Sequence, residues 1–173
     1  MKAESKKNVI FAVLFWALFA ALWVYLVVQA AMPAEQSSQE SGRVTAAIGF
    51  ILNRIFPDPE GLDRPITERW PWLSGFVRKA IGHFGAFGLL GVFASLALWF
   101  TTKKKIRYPI SLAMGVFTAA LTEYVQLFAD GRAGMFSDVL LDSAGYLLGG
   151  AIATLFAILI GRKKKKREKE GKV

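Results

Sequence analysis

Four long apolar runs constrain this chain more than any other feature: Val9 to Ala31, Ala80 to Phe100, Tyr108 to Phe128 and Val139 to Ile160. Each holds about 20 residues, the number a helix rising ~1.5 Å per residue needs to cross a ~30 Å hydrocarbon layer. Core helices of soluble proteins are usually shorter and carry a polar face. The runs therefore predict an all-α fold, an integral membrane bundle of four transmembrane helices. A length of 173 residues favours one domain.

The flanks of the runs predict how that bundle sits. Lys2, Lys6 and Lys7 precede the first run. Lys103, Lys104, Lys105 and Arg107 separate the second from the third. Arg162, Lys163 to Lys166, Arg167, Lys169 and Lys172 follow the fourth. With four crossings these three flanks share one side, and basic flanks are retained in the cytoplasm during insertion. The expectation is a multi-pass protein of the plasma membrane with both termini cytoplasmic. Its parts are a flank over 1–8, a membrane domain over 9–161 and a basic tail over 162–173. On the opposite side, the 32–79 loop balances six basic residues against six acidic ones. The net charge of +9 thus reads as a topology anchor that also attracts anionic lipid headgroups, and no nucleic-acid partner is expected. The first run, 23 residues long, exceeds the 7–15 apolar residues of a signal peptide and is read as an uncleaved helix. The absence of cysteine excludes disulfides, thiolate metal sites and cysteine nucleophiles.

Within the outer loop, Ala34 to Gly42 is rich in Gln, Ser and Glu and reads as a flexible linker. From Arg43 to Phe56 the apolar residues Val44, Ile48, Ile51, Leu52, Ile55 and Phe56 recur at helical spacing on one face. This amphipathic helix either lies in the membrane interface or covers the bundle as a lid. Pro57 and Pro59 end it. Trp70 and Trp72 ahead of the second span read as headgroup-region anchors.

Ionisable groups in spans are expensive and default to functional sites or buried pairs. Here they concentrate at the outer level. Lys79 and His83 stand four residues apart at the start of the second span, on one α-helical face. Glu123 and Gln126 end the third span, Asp130 and Arg132 follow in the connection, and Asp138 and Asp142 open the fourth. Ser137 or Asp138 is positioned to cap the fourth helix. Its N-terminus together with Arg132 makes an anion site for phosphate or carboxylate. Alternatively, Arg132 pairs with Glu123, Asp138 or Asp142 and ties the helix ends; the two roles are compatible. The ligand-binding candidates are Lys79, His83, Glu123, Gln126, Arg132, Ser137, Asp138 and Asp142, with His83, Glu123 and Asp138 as candidates for acid–base work. No HExxH-like spacing is present and Arg132 would compete for the carboxylates, so neither a metal nor a cofactor is expected. Glycines at 82, 85, 88 and 91, and a GxxxG at 145 and 149, predict close packing of the second and fourth helices, which would bring His83 towards Asp138 and Asp142.

Two blocks resemble the VanZ-like family of bacterial membrane proteins. One runs Arg78-Lys79-Ala80-Ile81-Gly82-His83-Phe84, then Phe87-Gly88-Leu89-Leu90-Gly91. The other is Glu123-Tyr124-Val125-Gln126, then Gly131-Arg132, Ser137-Asp138 and Gly145. The His block is one residue longer between Lys79 and His83 than the family's usual form, Asp142 stands where Asn is common, and Phe87 stands where Tyr is common. The resemblance implies a cell-envelope role with membrane lipids as partners, and a lipid-linked cell-wall precursor or a glycopeptide as a ligand. It also carries a link to teicoplanin susceptibility, but no established reaction. Three functions follow as expectations: binding of a lipid-linked or anionic headgroup at the outer face, a membrane enzyme using His83 with Glu123 or Asp138, and a structural or partner-binding bundle.

Overall fold

The structure is a computed structural model that describes residues 2–57 and 64–170, with side chains described over 6–57 and 64–163. Helix α1 (Lys2–Ala31) carries the first apolar run. Pro33 ends it, because proline offers no N–H and biases the preceding residue away from helical geometry. The same proline is the N-cap of α2 (Ala34–Ile55). The stretch from Ala34 to Gly42 is therefore helical, contrary to its expected role as a linker. Its backbone is tied at the start, where Ala34 N–H donates to Asp130 C=O at 2.9 Å. Gln29 Nε2 donates to Glu40 Oε2 at 2.8 Å and holds the next turn against α1. These long-range ties override the weak local preference of a Ser-rich segment.

The amphipathic part of α2 packs through its Thr45 and Gly49 side, while its predicted apolar face stays largely exposed. It packs over the segments that follow it, with Gly49 buried beneath Ile66. Trp70 Nε1 donates to Asn53 Oδ1 at 2.8 Å, and Arg69 donates to Phe56 C=O at 2.7 Å. Its outer edge still presents Phe50, Ile51, Ile55 and Phe56 to the surroundings. Pro57 follows this helix as expected, whereas Pro59 lies outside the described residues.

The second apolar segment starts earlier than its run. A turn each of α3 (Ile66–Arg69) and α4 (Leu73–Phe76) leads into a π-helical stretch, Val77–Gly85, and then α5 (Ala86–Thr101). A π turn makes i→i+5 hydrogen bonds and so accommodates one extra residue. That matches the extra residue in the His block. The third segment is α6 (Lys104–Gln126), which passes through Pro109. The fourth is α7 (Phe136–Glu170), which continues as helix into the basic tail rather than ending near Ile160.

Lys6–Ala31, Leu73–Thr101 and Phe136–Lys163 are each long and apolar enough to cross a membrane. Four such helices were expected. The exception is α6, which has the length but carries Thr118, Thr122, Glu123 and Gln126 on its buried side. Those polar groups face the bundle. Trp23 Nε1 donates to Thr118 Oγ1 at 3.2 Å, and Thr118 in turn donates to Met114 C=O at 2.8 Å.

Helix α5 packs mainly on α7 and α1, and α6 packs on α7, α1 and α5. Leu26, Phe87, Leu90, Ala94, Ala119 and Tyr146 form the core where these helices meet. In lipid such burial gains little from the hydrophobic effect, so close approach has to supply the cohesion. The small-residue strips provide it. A Cβ on Gly149 would meet the Gly88 backbone, one on Gly145 the Phe84 backbone, and one on Gly91 the Tyr146 backbone. Gly82 and Gly85 make no such contact with α7. The α5–α7 pairing expected from the glycines is thus formed by Gly88, Gly91, Gly145 and Gly149.

Candidate functional site

At one end of the bundle the π segment, α6 and α7 bring their polar residues together. His83 stands between two aspartates of α7. Its Nδ1 lies 3.1 Å from Asp142 Oδ1, and its Nε2 lies 3.8 Å from Asp138 Oδ2. Asp142 and Asp138 are one helical turn apart and therefore present both carboxylates to the same ring. Glu123 completes the group: one carboxylate oxygen of Glu123, one of Asp142 and a ring nitrogen of His83 lie within 4.8 Å of one another. These three residues offer the donor set that could hold a metal ion, and each comes from a different helical segment. That is why no sequence spacing announces it.

Glu123 is held from two directions. Gln126 Nε2 donates to its Oε1 at 2.9 Å, and the backbone N–H of Met135 donates to its Oε2 at 2.8 Å. The second bond places a carboxylate at the start of α7, where the helix dipole and free N–H groups favour negative charge. The anion at this N-terminus is thus supplied by the chain itself. Neither Ser137 nor Asp138 is the N-cap, since α7 already begins at Phe136. Ser137 is exposed and its hydroxyl lies 3.3 Å from Asp138 Oδ1.

The basic residues are arranged differently from the sequence expectation. Lys79 is exposed and lies outside the cavity walls, and Arg78 takes its place. Arg78 and His83, both in the π segment, line the same cavity. Arg132 follows Gly131, whose positive φ of 68° is a left-handed turn that glycine adopts without strain. Among the described residues no carboxylate lies within 4.0 Å of Arg78 or Arg132. The expected salt bridge from Arg132 to Glu123, Asp138 or Asp142 is therefore not formed. Burial, and then the neighbouring Arg78 guanidinium, lowers the Arg132 pKa from its ordinary value; an arginine nonetheless stays charged.

Two cavities meet at these arginines. One, of about 360 Å³, is walled by apolar Leu26, Val77, Ile81 and Phe87 and by polar His83, Gln126 and Asp142. The other, of about 840 Å³, runs beneath α2 between Thr45, Ile66, Ser74 and Met135. Arg78, Arg132, Ser37 and Ser41 line both. Ser37 and Ser41 lie in the segment whose composition predicts a linker, so composition alone does not mark them as site residues. Their spacing of one helical turn was the available signal.

A family profile described as VanZ/LLP1 matches residues 15–157, most of the chain and the whole of this site. The chain belongs to the VanZ/LLP1 family. No curated protein and no solved structure matches it. Membership in the VanZ/LLP1 family, together with three helices apolar and long enough to cross a bilayer, is consistent with a membrane protein. The His block and the Glu123–Asp138 block both lie inside the matched region and converge on the paired cavities.

Proposed function

We propose that this VanZ-family protein is a multi-pass protein of the bacterial cell envelope that binds the anionic headgroup of a lipid or lipid-linked molecule. In this reading α1, the Leu73–Thr101 segment, α6 and α7 all cross the membrane. Both termini are cytoplasmic, and the cavities open to the outer face. The buried polar side of α6 supports a fourth crossing, because its Thr and Glu groups are satisfied inside the bundle.

One observation carries the headgroup reading: two serines and two guanidiniums, with no carboxylate within 4.0 Å of them among the described residues, converge where two cavities of mixed polar and apolar lining meet. Arginine pairs suit phosphate or carboxylate oxygens, which accept bidentate hydrogen bonds. An apolar wall beside them suits the first part of a lipid chain. The test is lipid co-purification from wild type, Arg132→Ala and Arg78→Ala, read by mass spectrometry. Selective loss of anionic species in both variants is expected; an unchanged profile refutes the reading. Altered teicoplanin susceptibility on expression, lost in Arg132→Ala, is the corresponding cellular expectation.

A second reading is a membrane enzyme acting on such a lipid. It is favoured by His83 lying 3.1 Å from Asp142, since a carboxylate on one ring nitrogen orients an imidazole for acid–base work at the other. His83→Ala should then abolish any activity-dependent phenotype while the protein still accumulates. Retained function in a folded His83→Ala protein removes this reading. The structural-bundle reading keeps the ties from Met135 N–H to Glu123 and from His83 to Asp142, but has none from Arg132.

A further inference from the structure

We propose that His83, Glu123 and Asp142 form a binding site for one first-row divalent metal ion, such as Mn²⁺ or Zn²⁺, at the floor of the smaller cavity.

Three observations converge on it. The first is geometry: a ring nitrogen and two carboxylate oxygens lie within 4.8 Å of one another. Donors about 2.0–2.2 Å from a single ion stand roughly 3–3.5 Å apart, so modest side-chain rotation closes the set. The second is an orphaned atom. Asp142 is fully buried (0% exposed), and its Oδ2 has no hydrogen-bond partner. A buried carboxylate oxygen without a partner is costly and rare unless it awaits one. The third is charge. Glu123, Asp138 and Asp142 are 4%, 6% and 0% exposed. Among the described residues no lysine or arginine nitrogen lies within 4.0 Å of any of them, and His83 is the cationic group beside Asp138 and Asp142. When all are ionised, even a protonated His83 leaves them two charges in excess, which is the charge of a divalent ion.

The donor chemistry selects the class of ion. Calcium and magnesium take oxygen ligands, whereas an imidazole together with carboxylates suits Mn²⁺, Fe²⁺ or Zn²⁺. The surroundings are those of a supported site. Gln126 and the Met135 N–H fix Glu123. With an aspartate on each side of the ring, one nitrogen of His83 coordinates while the other donates to the remaining carboxylate, which sets the tautomer. His83 and Asp142 both line the cavity, so a coordination position faces it, with Arg78 and Arg132 also on its walls. The earlier objection that Arg132 would occupy the carboxylates fails, since it pairs with none of them.

The test uses the full chain in detergent, carried on a tag without histidine, stripped of lipid and of metal by chelation. Mn²⁺ is titrated and followed by electron paramagnetic resonance, and Zn²⁺ content is measured after dialysis. Saturation at about one ion per chain is expected. Asp142→Asn and Glu123→Gln should weaken binding by more than the ~10–100-fold typical of losing an outer partner, the loss expected for Asp138→Asn. A spectroscopic arm does not depend on variants folding. The chain has one histidine, so imidazole-nitrogen hyperfine coupling to bound Mn²⁺ comes from His83. Saturable binding with that coupling supports the site. Absence of saturable binding, or of nitrogen coupling in the bound state, overturns it and leaves protons balancing the carboxylates. Because lipid is removed first, failure of the headgroup reading does not affect this measurement, and Arg132→Ala should keep the metal.

Discussion

Replacing Gly149 by alanine is expected to weaken the crossing of α5 and α7, and the size of the effect can be worked from the contact. A Cβ at Gly149 would meet the O, C and Cα atoms of Gly88. These are backbone atoms, so no rotamer change relieves the overlap and the helices have to part. Overpacking of this kind costs about 1–3 kcal/mol, and a backbone clash belongs in the upper half of that range. Against this, alanine gains about 0.5–1 kcal/mol over glycine inside a helix. The net is a destabilisation of roughly 1–2.5 kcal/mol. Gly161 is the internal control: it lies on the same helix, and a Cβ there meets nothing within 4 Å. Gly161→Ala should therefore stabilise by about 0.5–1 kcal/mol. The two variants are compared by thermal unfolding in one detergent. At about 2–4 °C per kcal/mol for a chain of this size, their midpoints should differ by roughly 3–14 °C, with Gly149→Ala the lower. If Gly149→Ala unfolds at or above Gly161→Ala, the close α5–α7 crossing is wrong, and so is the placement of His83 against α7 that depends on it.

Other expectations follow from single contacts. Trp23→Phe removes the bond to Thr118 and should cost about 0.6 kcal/mol, the usual size of an interhelical hydrogen bond in a membrane bundle, measured as a small loss of thermal midpoint. Trp70→Phe frees Asn53 and should raise hydrogen exchange across residues 43–56 while leaving α5 and α7 protected; uniform exchange would argue against α2 as a separately held helix. Arg107 donates to the carbonyls of Trp99 and Thr102 at 3.1 and 3.0 Å and stacks 4.4 Å from the Trp99 ring. Arg107→Gln should loosen the α5–α6 turn by about 1–2 kcal/mol, seen as faster proteolysis between Thr101 and Lys105.

Much of the fold was legible because lipid imposes a local rule. A segment that crosses hydrocarbon must satisfy its own backbone and present apolar side chains over its whole length. Run length alone therefore located α1, α5 and α7. It also located α6, whose polar residues weaken the signal because they face the bundle rather than lipid. The flanking basic clusters, read in the same way, support an orientation. The site was legible in part: His83, Glu123, Gln126, Arg132, Asp138 and Asp142 were all singled out as ionisable or polar groups where such groups are costly.

What the sequence by itself determined is the four long apolar segments, the small-residue faces on α5 and α7, and the clustering of the charged groups near the ends of those segments. All of these depend on residues close together in the chain. Only the tertiary structure decided which groups meet. Arg78 rather than Lys79 lines the cavity. Glu123, from α6, accepts the Met135 N–H and occupies the N-terminus that was expected to wait for a ligand. The Ser-rich stretch from Ala34 becomes helix because Asp130 and Gln29 hold it. His83 and Asp142, 59 residues apart, pair because Gly88 and Gly149 let their helices touch. Each outcome depends on how one helix is rotated and seated against another, and that is set by contacts between residues far apart in the chain.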